Sequence, residues 1–282
     1  MRRERLTMTF VLSYSDIGDA AAPHTAFVLH GALGAGHNFR SFIRKLHAKK
    51  PEFRFVLVDL RHHGQSQGAP PPHTLAACAE DLAVLGRHLK VTPEVIIGHS
   101  FGGKVALKYA SRAPEGLRQI WALDSDPSAR AIDPDHEVWR VLEAVRGVAL
   151  PAPTRAAVVD ELQRRGLSSG IANWLSTNLK HAPDGFRWNL DLDAVVELMT
   201  NYFQEDLWPF LEQPPPHQEI FLVVAERSDR FGDATRRRAA QLSAANVRVL
   251  PLADSGHWVH IDNPTGLLAM LEAHLTASAS LR

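Results

Sequence analysis

Val95-Ile96-Ile97-Gly98-His99-Ser100-Phe101-Gly102-Gly103-Lys104 is the stretch on which the reading of this chain turns. An apolar, β-branched run ends in glycine, passes through one serine, and continues from Phe101 to Ala113 with helical spacing. A run that is apolar on both faces marks a strand buried on both sides, as in a parallel sheet. Gly-His-Ser-Phe-Gly between such a strand and a helix is the pattern of a nucleophile elbow. The sharp turn needs very small residues two before and two after the serine. It presents the hydroxyl at the C-terminal end of the sheet, beside a helix N-terminus that favours developing negative charge.

Outward from this stretch, short apolar runs alternate with helical ones. Strand patterns occupy Met8 to Tyr14, Ala26 to His30, Arg54 to Leu60, Glu94 to Gly98, Gln119 to Asp124, Glu219 to Ala225 and Val247 to Leu252. Helical periodicity appears over Asn38 to Lys49, Thr74 to Leu89, Phe101 to Ala113 and Pro264 to Leu275, the last with Asn263 as its N-cap. The alternation predicts an α/β fold, a mostly parallel sheet with helices on both faces. It lapses between Pro127 and Pro216, where helices are expected at Pro134 to Arg146, Thr154 to Arg165, Ser168 to Leu179 and Leu192 to Gln204. The expected organisation is a core of residues 1–127 and 214–282 with a helical cap, or lid, inserted at 128–213.

A serine hydroxyl needs a base to become a nucleophile. In a strand-elbow-helix sheet of this kind the base follows the last strand, which places it at His257 in Asp254-Ser255-Gly256-His257-Trp258; His260 is its nearest rival among 15 histidines. The base in turn needs a carboxylate to hold its tautomer. The loop Glu226-Arg227-Ser228-Asp229-Arg230 offers Asp229, and Leu123-Asp124-Ser125-Asp126 offers two more; the reading favours Asp229 over Asp124 and Asp126. Oxyanion donors are expected at the Phe101 amide and, in His30-Gly31-Ala32-Leu33-Gly34, at the Ala32 amide. Asp59-Leu60-Arg61-His62-His63-Gly64-Gln65-Ser66 reads as a hydrogen-bonded loop bracing the rim. No carboxylate or cysteine stands at ligand spacing beside its histidines, so no metal is expected there.

The whole chain adds exclusions. It has 282 residues, 31 basic and 31 acidic side chains and a formal net charge of zero, so no global field would hold it to nucleic acid or an anionic membrane. One cysteine, Cys78, excludes an internal disulfide framework and fits a reducing compartment. The N-terminal apolar stretch is too short for a signal peptide, and no run approaches a membrane span. A cytoplasmic protein without cofactor is expected, a monomer or homodimer whose partner is a small-molecule ester.

Together, His30-Gly31, Asp59-x-Arg61-x-His63-Gly64-x-Ser66, Gly98-His99-Ser100-Phe101-Gly102-Gly103, Ser228-Asp229 and Gly256-His257 resemble the α/β-hydrolase superfamily, in family order over most of the chain. Gly98 to Lys104 and Asp124 are similar to the small-ester hydrolase and thioesterase group that includes the abhydrolase-domain-11-like enzymes. Some members of that group lack an acid corresponding to Asp229, which keeps Asp124 open. The resemblance implies a Ser100-His257-Asp229 hydrolase of carboxylic esters or thioesters working through an acyl-enzyme. A carbon–carbon bond hydrolase, perhydrolase side activity and a non-catalytic ligand binder of the same fold are the alternatives. Ser100 argues against epoxide and haloalkane hydrolysis, which use an Asp nucleophile. Trp139, Trp174, Trp188, Tyr202, Phe203 and Trp208 either line an acyl pocket or pack the cap.

Overall fold

A computed structural model describes residues 10–276. The chain runs β1 (Tyr14–Ile17), β2 (His24–Leu29), α1 (Arg40–Lys49), β3 (Phe53–Val58), α2 (Leu75–Leu89), β4 (Val95–His99), α3 (Phe101–Ala110) and β5 (Gln119–Leu123). It then leaves the sheet through α4 (Glu137–Arg146), α5 (Arg155–Arg164), α6 (Ser169–Ser176), a hairpin of β6 (Leu179–Ala182) and β7 (Gly185–Trp188), α7 (Leu192–Gln204) and α8 (Trp208–Glu212). It returns as β8 (Glu219–Ala225), α9 (Asp233–Ala240), β9 (Val247–Leu252), α10 (Val259–Asp262) and α11 (Pro264–His274).

Among the described residues, seven strands form one sheet in the order β1-β3-β2-β4-β5-β8-β9. Only the edge pair β1–β3 is antiparallel. Because strand side chains alternate faces, the inner strands feed two cores. Phe27, Leu29, Ile96, Ile120 and Leu222 pack with α2 and α3, and that core continues into the helices between β5 and β8. Val28, Val95, Ile97, Trp121 and Phe221 pack with α1 and α11 on the other face. This two-sided burial is what the unbroken apolar runs encode. Caps fall where the sequence places them: Thr74 Oγ1 accepts the Ala77 amide at 3.2 Å, and Asn263 Oδ1 accepts the Gly266 amide at 2.9 Å.

Two expectations need correction. Of the strand expected over Met8 to Tyr14, Met8 and Thr9 lie outside the described residues, residues 10–13 form no strand, and pairing starts at Tyr14. Just before it, the Ser13 amide donates to Ser66 Oγ at 2.8 Å, so a side chain takes the place of a ladder partner. The helix expected over Ser168 to Leu179 stops at Ser176, because Leu179 pairs with Trp188 in the β6–β7 hairpin.

Candidate active site

Ser100 joins β4 to α3 with φ 52° and ψ −117°, a conformation few non-glycine residues adopt. The surroundings leave no room for a side chain two residues before it or two after it. A Cβ on Gly98 would stand 2.2 Å from the Gly102 carbonyl oxygen, and one on Gly102 2.5 Å from that of His30. The strained turn is held on both sides. The Ser100 amide donates to the Leu123 carbonyl at 2.9 Å, and Ser125 Oγ donates to the Ser100 carbonyl at 2.6 Å.

Ser100 Oγ donates to His257 Nε2 at 3.0 Å, and His257 Nδ1 donates to Asp124 Oδ2 at 2.7 Å. The Asp124 side chain is 0% exposed, and Asp124 sits at φ 46° just past β5, where the chain turns off the sheet. The same carboxylate accepts from Ser228 Oγ at 2.5 Å and from the Ala225 amide at 3.2 Å. A carboxylate held by three donors is fixed in place and in turn fixes the orientation and tautomer of the imidazole.

The structure therefore brings Ser100 and His257 together but puts Asp124, not Asp229, against the imidazole. The Asp229 side chain is 88% exposed and faces Arg230 Nε at 3.5 Å. The reason is strand order. Leu123 is in register with His99 on the adjacent strand β4, so the residue after it lies beside the elbow. The loop carrying Asp229 leaves β8, one strand further out. That loop supplies Ser228 to the carboxylate instead. Asp126 is occupied elsewhere, accepting the Ser128 amide at 2.8 Å. His260 stacks on Phe39 at 4.1 Å between ring centres and is held near pKa 4 by burial and then by the nearby His257.

Among the described residues, the amides of Ala32 and Phe101 have no protein acceptor, as oxyanion donors require. The Gly31 turn passes directly over the nucleophile: a Cβ there would lie 3.5 Å from Ser100 Cβ. Two buried histidines shape this loop. His30 Nδ1 donates to the Gly31 carbonyl at 2.7 Å while its Nε2 accepts the Leu60 amide at 3.0 Å. His63 Nδ1 donates to the Arg61 carbonyl at 2.9 Å while its Nε2 accepts the Leu33 amide at 3.1 Å. Burial lowers the two to about 4 and about 3, so both stay neutral and keep one acceptor nitrogen. Arg61 is itself fixed on the buried Asp81 by bonds of 2.6 and 2.9 Å. Among the described residues, no group of three or more His, Cys, Asp or Glu side chains could hold a metal ion.

Three contributors escaped the sequence reading. Ser228 was named only as a neighbour of Asp229. His99, inside the elbow, donates from Nε2 to the His257 carbonyl at 2.7 Å and so anchors the loop carrying the base. Asn178, between α6 and β6, donates to the Leu33 carbonyl at 2.7 Å and clamps the Ala32 loop from above. No periodicity marks such contacts; each depends on segments more than a hundred residues apart.

Above Ser100 lies a cavity of about 460 Å³. Val138, Val141 and Met199 contribute apolar wall; Arg130, His136 and Arg230 contribute polar wall. Of the aromatics singled out, Trp174, Tyr202 and Phe203 line this cavity. Trp188 and Trp208 are buried instead, with Nε1 donating to the Val145 carbonyl and to Ser128 Oγ.

Comparison with known proteins bears on this geometry. A family model described as alpha/beta hydrolase fold matches residues 27–264. The chain is 27% identical over 270 residues to the sn-1-specific diacylglycerol lipase ABHD11 of Mus musculus, covering 94% of this chain and 85% of the relative. It is 42% identical over 277 residues to the magnesium-chelatase 30 kDa subunit of Rhodobacter capsulatus, covering 91% and 88%. The solved structure of a marine microorganism esterase superimposes with a TM-score of 0.80 at 23% identity, covering 93% of this chain and 98% of that one.

Proposed function

The chain belongs to the alpha/beta hydrolase fold family, and from that premise we propose that it is a serine hydrolase of carboxylic esters or thioesters. The observation that carries the proposal is the relay Ser100–His257–Asp124, with contacts of 3.0 and 2.7 Å, at the floor of a cavity. The relative named as a diacylglycerol lipase supports ester chemistry. In the proposed cycle His257 removes the Ser100 proton as Oγ attacks the acyl carbon. The Ala32 and Phe101 amides hold the oxyanion, and Asp124 stabilises the imidazolium. His257 then returns the proton to the leaving group and activates water to release the acyl group. Residues 128–213 act as the cap whose underside selects the substrate. The chemistry uses the chain's own residues.

Ser100→Ala is expected to abolish hydrolysis of p-nitrophenyl acetate and butyrate with the fold intact by circular dichroism. Full activity in that variant overturns the proposal.

A second reading draws on the relative named as a magnesium-chelatase 30 kDa subunit: a non-catalytic role in binding a small ligand. A fluorophosphonate probe separates the two. Labelling of the native protein but not of Ser100→Ala supports the hydrolase; a native protein that does not react supports the binder.

A further inference from the structure

The cavity over Ser100 has a basic wall that the proposed acyl chemistry does not use. Arg130, on the segment leaving β5, and Arg230, after β8, line the same cavity as Ser100 and His257. The Arg130 guanidinium lies over the Phe203 ring at 4.7 Å and donates to His136 Nε2 at 3.2 Å; among the described residues it forms no ion pair. Arg230 donates to the same His136 Nε2 at 3.0 Å and pairs with Glu137. Its Nε is buried without a hydrogen-bond partner, although it forms an ion pair at 3.5 Å with Asp229, whose side chain is 88% exposed.

An imidazole nitrogen has one lone pair, so it cannot satisfy two guanidinium donors at once. Burial, and then the neighbouring Arg130 and Arg230, holds His136 down at about pKa 4, so it stays neutral and adds no positive charge near neutral pH. Glu137 and Asp229, which also line the cavity, both pair with Arg230, whereas among the described residues Arg130 pairs with no carboxylate. Its guanidinium is thus the free cation of a cavity whose apolar wall includes Val138, Val141 and Met199. A planar fork of donors in such a place matches a carboxylate, which it can bind bidentately.

We propose that the substrate is an ester that also carries a free carboxylate, with Arg130 as its main anchor and Arg230 beside it. The inference rests on the ester-hydrolase reading above. A cavity of about 460 Å³ suits a small or medium acyl group with both ends held.

The test compares p-nitrophenyl butyrate with mono-p-nitrophenyl glutarate, whose free carboxyl is ionised at pH 7. The native protein is expected to prefer the glutarate ester by about tenfold or more in kcat/KM, as one charged hydrogen-bonded anchor allows. The preference should shrink as salt rises. Arg130→Met should lower the ratio of the two kcat/KM values by about 10- to 100-fold, and Arg130→Lys should restore part of it. Equal use of both esters by the native protein, or an unchanged ratio in Arg130→Met, overturns the inference. If neither ester is turned over, the hydrolase reading falls and glutarate itself becomes the probe. Calorimetric binding of glutarate, weakened about tenfold or more in Arg130→Met, then supports the basic wall as a carboxylate site; equal binding by both proteins overturns it.

Discussion

Asp124 meets three donors at once: the His257 ring, the Ser228 hydroxyl and the Ala225 amide. Replacing one carboxylate oxygen by an amide nitrogen would put N–H against N–H or force the imidazole into the wrong tautomer. Asp124→Asn is therefore expected to lower kcat/KM by up to about 10⁴-fold, the scale seen when a triad carboxylate becomes an amide. Asp229→Asn should change it by less than about threefold, because that side chain points to solvent beside Arg230. Steady-state kinetics on p-nitrophenyl butyrate for both variants decides between the two carboxylates. A large loss in Asp229→Asn with little in Asp124→Asn would return the role to Asp229. Both residues stand in strand-end loops and look equivalent in one dimension. What distinguishes them is which strand lies next to β4, and that is a property of sheet order.

At the scale of elements, α3 does more than aim Ser100. Lys104, four residues into that helix and fully buried, donates from Nζ to the Ser128 carbonyl at 2.8 Å and the Tyr202 carbonyl at 2.7 Å. The ammonium also lies over the Tyr202 ring at 4.6 Å. One side chain thus ties the elbow helix to the end of α7 and to the start of the segment that covers the cavity. Lys104→Ala leaves a void, and it leaves the buried Tyr202 carbonyl and the half-buried Ser128 carbonyl without their donor, so a loss of about 2–4 kcal/mol is expected in urea unfolding. A variant within about 0.5 kcal/mol of the native protein would show the tie to be dispensable. The sequence displays Lys104 only as the residue ending Gly-Gly-Lys. Long, periodic elements such as α2, α7 and α11 are legible because burial of one face imposes a repeat. The β6–β7 hairpin escaped because its strands are four residues each, and α9 because Asp-Ala-Thr-Arg-Arg-Arg-Ala-Ala carries no apolar repeat.

For the whole molecule, histidine burial sets the acid limit. His30 and His63 are neutral in the folded state, lowered by burial to about 4 and about 3 from an ordinary 6.5. The unfolded chain binds their protons first as pH falls, so stability is intact above about pH 6.5 and drains between there and about pH 4. The slope is about 1.4 kcal/mol per pH unit for each such imidazole. The midpoint of thermal unfolding is expected to fall steadily over that window, and less steeply in His63→Gln. A flat profile from pH 7 to 4.5 would contradict this. Among the described residues no helix is long and apolar enough to cross a membrane, and the composition's zero net charge leaves the basic cavity wall as a local feature.

By itself the sequence determined the alternating α/β architecture, the elbow at Ser100, the position of His257 after the final strand and the His30–Gly31 turn. Each is encoded locally, in an apolar run, a pair of glycines or chain order, so neighbours in sequence suffice to read it. Only the tertiary structure decided that β5 rather than β8 adjoins the elbow strand, and with it that Asp124 faces the imidazole while Ser228 supports it. The convergence of Arg130, His136 and Arg230 on one cavity is of the same kind. These contacts join residues brought together by strand order and by the helices packed above the sheet, and neither leaves a period or a spacing in the chain.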